Sequence, residues 1–90
     1  MKHLKRAQNI QKEIHKILLK EWDPIGVSNV IEAQDEYDSY IPTIYKLLIT
    51  KSPKHELSDY LFWLETEHMG LTGDKRTTEE ITVKLLRLLN

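Results

Sequence analysis

The chain has no cysteine, and its 90 residues include only three glycines, three prolines and one phenylalanine. Without cysteine it cannot form disulfide bonds, thiolate metal sites or a cysteine nucleophile. The low glycine and proline content excludes collagen-like and low-complexity chains. The longest apolar run, residues 60–64, is far shorter than the roughly 20 residues of a membrane-spanning helix. The composition therefore predicts a soluble globular protein.

The N-terminal residues 1–6 are basic, but no apolar stretch follows them, so we expect no signal peptide. Together with the lack of cysteine, this favours the cytoplasm. A length of 90 residues suits a single domain, residues 1–90, with a small core.

Apolar residues recur at helical spacing in four stretches, and no stretch alternates with the period of two typical of strands. We therefore predict an all-α fold, a single compact domain of about four helices in an irregular bundle. The first helix covers residues 3–21 and stops at Asp23-Pro24, because a residue before proline avoids the α conformation. Trp22, at its end, is expected to be buried.

The second helix is predicted over residues 35–50, after a looser turn at residues 29–34, although Pro42 lies inside it. Proline is tolerated in the first turn of a helix, so either the helix begins near Asp38, or it begins near Val30 and is kinked. The third helix is expected to start with Ser52 as its N-cap and Pro53 at its first position.

The third helix is predicted to end at Gly70 in a left-handed conformation, with Leu71 folding back onto the apolar stripe. Thr77 and Glu80 have the spacing of a capping box, which places the start of the fourth helix there.

Charge is distributed unevenly, although the net charge is only −1. Residues 1–21 carry six Lys or Arg and two Glu, whereas residues 22–45 carry five Asp or Glu and no Lys or Arg. Either the two regions attract each other within the fold, or the acids face a basic partner. The first hypothesis predicts that Lys12, Lys16 or Lys20 forms ion pairs with Asp35, Glu36 or Asp38.

Residues 35–40 combine carboxylates with two tyrosines. Tyr37 belongs to the apolar stripe, while Tyr40 lies on another side of the predicted helix with Glu36. An exposed tyrosine among carboxylates suits contact with a basic protein surface. The alternative is that Tyr40 packs under residues 24–34 and that the acids cap the helix or face the helix-one lysines. The protein-binding candidates in this region are Asp35, Glu36, Asp38 and Tyr40.

Trp63 is a further protein-binding candidate. It lies between Asp59 and Glu67 on its helix, away from the stripe of leucines. Two readings are open: the helix is central in the bundle and Trp63 packs inside it, or Trp63 contacts a partner or a second copy in a homodimer.

Glu65 and His68 form a Glu-x-x-His pair, the spacing that di-iron carboxylate bundles use twice. Only one copy is present here, so Glu65 and His68 are weak metal candidates that acids from residues 32–38 would have to complete. In the alternative, His68 ends the apolar stripe near the helix C-terminus, where the dipole favours a positive charge.

Other functional classes have little support in the sequence. No Gly-x-Ser-x-Gly elbow or glycine-rich phosphate loop is present, so we predict no enzyme activity and no cofactor. The lysines of helix one could contact nucleic acid or an anionic membrane. We expect neither partner, because the net charge is slightly negative and no aromatic residue interleaves with these lysines.

Three ordered blocks span nearly the whole chain: WDPIGV from residue 22, EAQDEYDSYIP from residue 32 and ETEHMGL from residue 65. In these blocks the chain resembles a family of small proteins of Bacillus-type bacteria described as of unknown function. The resemblance implies a compact helical cytosolic protein and no catalytic residues. The patterns Trp-Asp-Pro-Ile-Gly and Asp-Glu-Tyr-Asp-x-Tyr also resemble those of small helical proteins encoded beside bacterial toxins. This second resemblance implies an immunity-like role. The sequence thus favours a non-enzymatic protein–protein interaction module; the alternatives are a metal-binding or catalytic protein centred on His68, or a nucleic-acid or membrane binder.

Overall fold

The predicted all-α class is confirmed by a computed structural model, which describes the backbone of residues 2–89 and the side chains of residues 6–89. No strand occurs in the described part of the chain. Four α-helices form the fold, and the first and third are each extended by a π-helical turn. The elements are α1 (Lys2–Lys16) with the π-helical turn Ile17–Trp22, α2 (Ile41–Ile49), α3 (Lys54–Trp63) with the π-helical turn Leu64–His68, and α4 (Lys75–Leu86) with the 3₁₀ turn Arg87–Leu89.

The core lies where α4 packs against α3 and against the π-helical turn Ile17–Trp22 that ends the first helix, with α2 packed against α1 and α3. Leucine and isoleucine side chains at helical spacing fill it, as the four apolar stretches predict. Its members with 0% exposure are Ile14, Leu18, Ile44, Leu61 and Leu85. Trp22 is buried as expected, at 4% exposure, and so is Tyr37, at 2%. Within residues 2–89 no helix has the length and apolar character needed to cross a membrane.

The second helix is shorter than predicted. It begins at Ile41, so Pro42 lies in its first turn, where its missing N–H removes no intrahelical hydrogen bond. The residues before it form two 3₁₀ turns, Ile31–Ala33 and Asp38–Tyr40, instead of a helix from residue 35. Proline therefore sets the start of α2, and residues 31–40 before it, which we call the acidic segment, form a chain of turns.

The predicted N-caps of α3 and α4 are both wrong. Ser52 does not cap α3, because Pro53 stands at that position and the Ser52 hydroxyl is 3.0 Å from that of Thr50. Asp74, rather than Thr77, caps α4: its Oδ1 accepts from the N–H groups of Arg76 and Thr77, at 3.0 and 3.4 Å. Hydrogen bonds from the Thr77 side chain and N–H hold the pKa of Asp74 below its usual value.

The end of the third helix follows the prediction in its backbone and departs from it in one side chain. Gly70 has the predicted left-handed conformation, with φ of +72°. The Leu71 N–H donates to the Glu65 carbonyl at 2.8 Å, but the Leu71 side chain is 37% exposed and does not join the core.

Two glycines after α3 offer a matched test of this connection. Gly70 and Gly73 both have positive φ, but a Cβ at Gly70 would meet no atom within 4 Å, whereas one at Gly73 would lie 2.8 Å from Phe62 and Thr66. We expect Gly70→Ala to cost about 1 kcal/mol, from backbone strain alone. Gly73→Ala should cost about 1–3 kcal/mol more, because side chains must also move. Urea unfolding measures both losses of free energy. If they are equal, the close approach of the new Cβ at residue 73 to Phe62 does not contribute to the loss.

Asp23 organises the link between α1 and the acidic segment. Its backbone is left-handed, with φ of +33°. Its Oδ1 accepts from the Val27 N–H and the Tyr37 hydroxyl, both at 2.8 Å, and its Oδ2 accepts from the Ser28 N–H at 3.1 Å. Burial alone would raise the pKa of Asp23, but these hydrogen bonds outweigh it and hold the pKa below its ordinary value.

Stability should therefore depend on the ionisation of Asp23. A carboxyl whose pKa is lower in the folded chain contributes stability above its unfolded pKa, about 3.9, and loses it as the pH falls through the folded pKa. We expect the free-energy gap between wild type and Asp23→Asn to be constant above about pH 5 and to shrink below it. Urea unfolding from pH 7 to pH 3 measures this gap, and a gap that stays the same throughout would contradict the assignment.

Candidate binding face

Beside the acidic segment, four aromatic side chains form a continuous surface. We call this surface the aromatic face; its members are Tyr40, Tyr60, Trp63 and His68. The Trp63 ring is nearly parallel to Tyr60, with centroids 6.5 Å apart and planes at 15°. It is also nearly parallel to His68, at 5.8 Å and 24°. Tyr40 meets His68 edge to face, at 5.9 Å and 88°. Trp63 is 50% exposed, so the face presents a large aromatic ring to solvent.

The π-helical turn Leu64–His68 places His68 on this face. In a π-helical turn hydrogen bonds join residues five apart, so residue 68 rather than residue 67 stands over residue 63. The prediction that His68 ends the leucine stripe is therefore wrong, because the stripe assumed a regular α-helix beyond Trp63. Tyr60, three residues before Trp63, joins the face through ordinary α-helical spacing, and sequence analysis missed it although that spacing was a usable signal.

The aromatic face is anchored in the core by Trp22 and Tyr37. Tyr40 is 6.4 Å from each of these two rings, and Trp22 and Tyr37 are 5.3 Å apart. Tyr40 is thus half-buried, which lies between the two readings left open by the sequence, a packed side chain and an exposed one. Burial raises its pKa, with the charge of Glu36 and the neighbouring Tyr60 as smaller causes. Six rings therefore follow one another in contact, from Trp22 and Tyr37 in the core to Tyr40 and then to His68, Trp63 and Tyr60.

The predicted ion pairs between helix-one lysines and the acidic segment do not form. Asp38 instead accepts from His15, whose Nδ1 is 2.7 Å from Asp38 Oδ1. Lys16 pairs with Glu13 on its own helix, and Lys20 donates to the Ser28 carbonyl. Among the described side chains, no Lys or Arg lies within ion-pair distance of Asp35, Glu36, Asp59 or Glu67, and all four are exposed.

The Glu-x-x-His pair is divided between two environments. Glu65 is 4% exposed; its Oε1 accepts from the Trp22 indole N–H at 2.7 Å, and its Oε2 from the Thr78 hydroxyl at 3.0 Å. His68 lies outside, on the aromatic face. Across the described residues, no three His, Asp or Glu side chains are grouped so that they could hold a metal ion. Glu65 thus connects the end of α1 to α4.

The structure brings the candidate Tyr40 together with Trp63 and His68, which lie on a different helix, and Glu36 lies near Tyr40. Asp35 and Asp38 belong to the same acidic segment, but Asp38 faces His15 on α1. The reading in which Trp63 packs inside the bundle is wrong, since half of its surface is exposed. Sequence analysis also missed Ile31, an apolar side chain 85% exposed in a 3₁₀ turn, which no local pattern distinguishes.

No protein-family model, curated protein or solved structure matches this chain.

Proposed function

We propose that this protein is a non-enzymatic cytoplasmic module that binds another protein through the aromatic face. The observation that carries the proposal is the position of Trp63, half-exposed and stacked between Tyr60 and His68. Tryptophan and tyrosine are the residues that most often dominate the energy of protein interfaces. They supply a large contact area while few rotatable bonds become fixed on binding.

The anchoring of the face in the core supports the same role. Binding is weakened when side chains must be ordered on association. Here Tyr40 is held by Trp22 and Tyr37, and Trp63 is held by its two ring neighbours, so much of that ordering is complete before a partner arrives. A preformed aromatic surface on a small helical domain suits a contact with a folded partner.

The charge around the face favours a partner with a basic surface. Glu36 lies beside Tyr40, and Asp59 lies one turn before Trp63 on the same side of α3. Neither carboxylate has a Lys or Arg partner among the described side chains. Acids at the rim of an interface accelerate encounter with a basic surface and disfavour acidic ones.

Trp63→Ala tests the proposal, with Ile49→Ala as a matched control. Ile49 is also 50% exposed, but it lies at the far end of α2 beside Ile10 and Tyr45. Both variants should fold with melting temperatures close to that of wild type. The tagged proteins are used to capture partners from the native cell, with quantitative comparison of what each retains. We expect a protein held by wild type and by Ile49→Ala and lost from Trp63→Ala; identical captures by all three would refute the proposed face.

A further inference from the structure

We propose that a cleft at the end of α2 binds a small amphiphilic carboxylate, a molecule with an apolar chain and one carboxylate group. The cleft lies where α1, α2 and the 3₁₀ turn Arg87–Leu89 meet, and we call it the basic cleft. It shares no residue with the aromatic face, so this inference goes beyond the proposed function and does not depend on it.

The basic cleft consists of two adjoining hollows of about 400 and 380 Å³, which have Lys51 and Leu89 in common. Each has the volume of a typical small-molecule site, about 300–1,000 Å³, and like such sites each is lined mainly by apolar side chains. The larger apolar residues of the lining are Ile10, Tyr45, Leu48, Ile49, Leu86 and Leu89. Ile49 is 50% exposed, so apolar surface remains uncovered in the cleft.

The charge of the basic cleft is positive. Arg6 lines one hollow and Lys51 lines both, whereas no Asp or Glu of the described residues lines either. Arg6 and Lys51 are exposed, and neither forms an ion pair with a described Asp or Glu. Apolar walls with two such cations are complementary to a ligand that is apolar along most of its length and negative at one end.

The backbone fixes the position of Lys51 beside both hollows. Lys51 follows α2 in a left-handed conformation, with φ of +54°. The N–H groups of Lys51 and Ser52 donate to the Leu48 and Leu47 carbonyls, both at 3.1 Å. Glycine is the usual residue at the left-handed position of this helix ending, and any other residue is strained there. Backbone strain of this kind is concentrated at functional sites, which agrees with a binding role for the lysine side chain.

A carboxylate suits these cations better than a more highly charged anion does. Arginine can hold both oxygens of a carboxylate through two parallel hydrogen bonds. A phosphate monoester carries a charge of about −1.5 to −2 at pH 7, so more hydration is lost when it enters an apolar cleft. The apolar chain of the ligand then covers the walls of the cleft, including the exposed Ile49.

The test uses three eight-carbon probes that differ in the head group: octanoate, octanol and octylammonium. Each is titrated below its micelle-forming concentration into isotope-labelled protein, while the isoleucine and leucine methyl signals are followed by NMR. Ile10 and Leu89 report on the cleft, and Ile31, which is 85% exposed and lines neither hollow, is the internal control. We expect the Ile10 and Leu89 signals to move, with an affinity for octanoate about fivefold or more above that for octanol. Octylammonium should bind most weakly, and the Ile31 signals should not move.

Arg6→Gln/Lys51→Gln supplies the second arm of the experiment, with Lys46→Gln as the matched control. Lys46 is also exposed and lies on α2, but it lines neither hollow. Because all three side chains are exposed, both variants should melt close to wild type. The double variant should bind octanoate and octanol equally, whereas Lys46→Gln should keep the wild-type preference for octanoate.

Three results would overturn the proposal: equal affinity of wild type for octanoate and octanol, no binding of octanoate, or an unchanged preference in the double variant. Equal movement of the Ile31 signals would also overturn it, because the probes would then adsorb to any exposed apolar side chain. Protein capture through the aromatic face is tested separately, by Trp63→Ala. Ile49→Ala remains its control, since the ligand of the basic cleft is a small molecule and not the captured protein.

Discussion

Replacement of Trp22 by alanine is expected to lower the free energy of unfolding by about 3–5 kcal/mol, the usual cost of truncating a buried tryptophan. For a domain of this size the melting temperature should fall by about 12 °C or more. Three losses combine: the ring leaves a cavity, Tyr37 and Tyr40 lose an aromatic neighbour, and Glu65 loses a hydrogen-bond donor.

Thermal and urea unfolding measure this effect, and Trp63→Ala is the control within the same chain. Trp63 has the same side chain but is 50% exposed, against 4% for Trp22, so its removal should cost far less. A Trp22→Ala protein that melts within a few degrees of wild type would contradict the buried position of this ring. Truncation of Trp22 should also loosen Tyr40 on the aromatic face, because the two rings are in edge-to-face contact.

Loss of the Glu65 carboxylate should be the second large effect, and its size should depend on the replacement. In Glu65→Leu the buried indole N–H of Trp22 has no acceptor, which costs about 1–3 kcal/mol. Thr78 suffers less, since its hydroxyl also lies 3.0 Å from the Asp74 carbonyl. In Glu65→Gln the amide oxygen still accepts from Trp22, and the amide N–H can donate to the Thr78 hydroxyl. That variant should lose less than about 1 kcal/mol.

A double-mutant cycle isolates the contact between Trp22 and Glu65. Trp22→Phe removes the N–H donor and keeps an aromatic ring, so Glu65→Leu should cost less in that background than in wild type. We expect the two losses to be non-additive by about 0.5–3 kcal/mol, measured by urea unfolding. Additive losses would mean that the 2.7 Å contact does not contribute to stability.

The elements that could be predicted from sequence are those with local signals. Helix one shows its apolar stripe at constant spacing, and Asp23-Pro24 ends it, as the structure shows with a left-handed Asp23 directly after Trp22. Gly70 is likewise a local signal, because a left-handed residue after a helix is most easily a glycine. The start of α2 was misplaced because the apolar spacing continues through residues 37–40, while Pro42 permits a helix only around its own first turn.

The capping errors have a related cause. Ser52 and Thr77 each have the right neighbours in sequence, but a cap depends on which residue is extended immediately before the helix. Asp74 is extended, with φ of −145°, and its carboxylate reaches the free N–H groups of the first turn. Asp74 and Thr77, three positions apart, are both suitable N-cap residues by type. The extended backbone at Asp74 makes it the N-cap of α4.

The order of the amino acids alone dictates that the chain is helical, because apolar spacing and helix-ending residues act within a few positions along the backbone. The aromatic face does not follow from spacing in this way. Tyr40 and His68 are brought together by packing between distant segments, and a helical wheel loses its register at the π-helical turn Leu64–His68. The ion pairs do not follow from the sequence either. Helix one and the acidic segment are adjacent, yet Asp38 pairs with His15 rather than with a lysine, because the pairing depends on which side chain points toward Asp38. Long-range packing sets those directions, and it leaves Trp63 half-exposed at the surface.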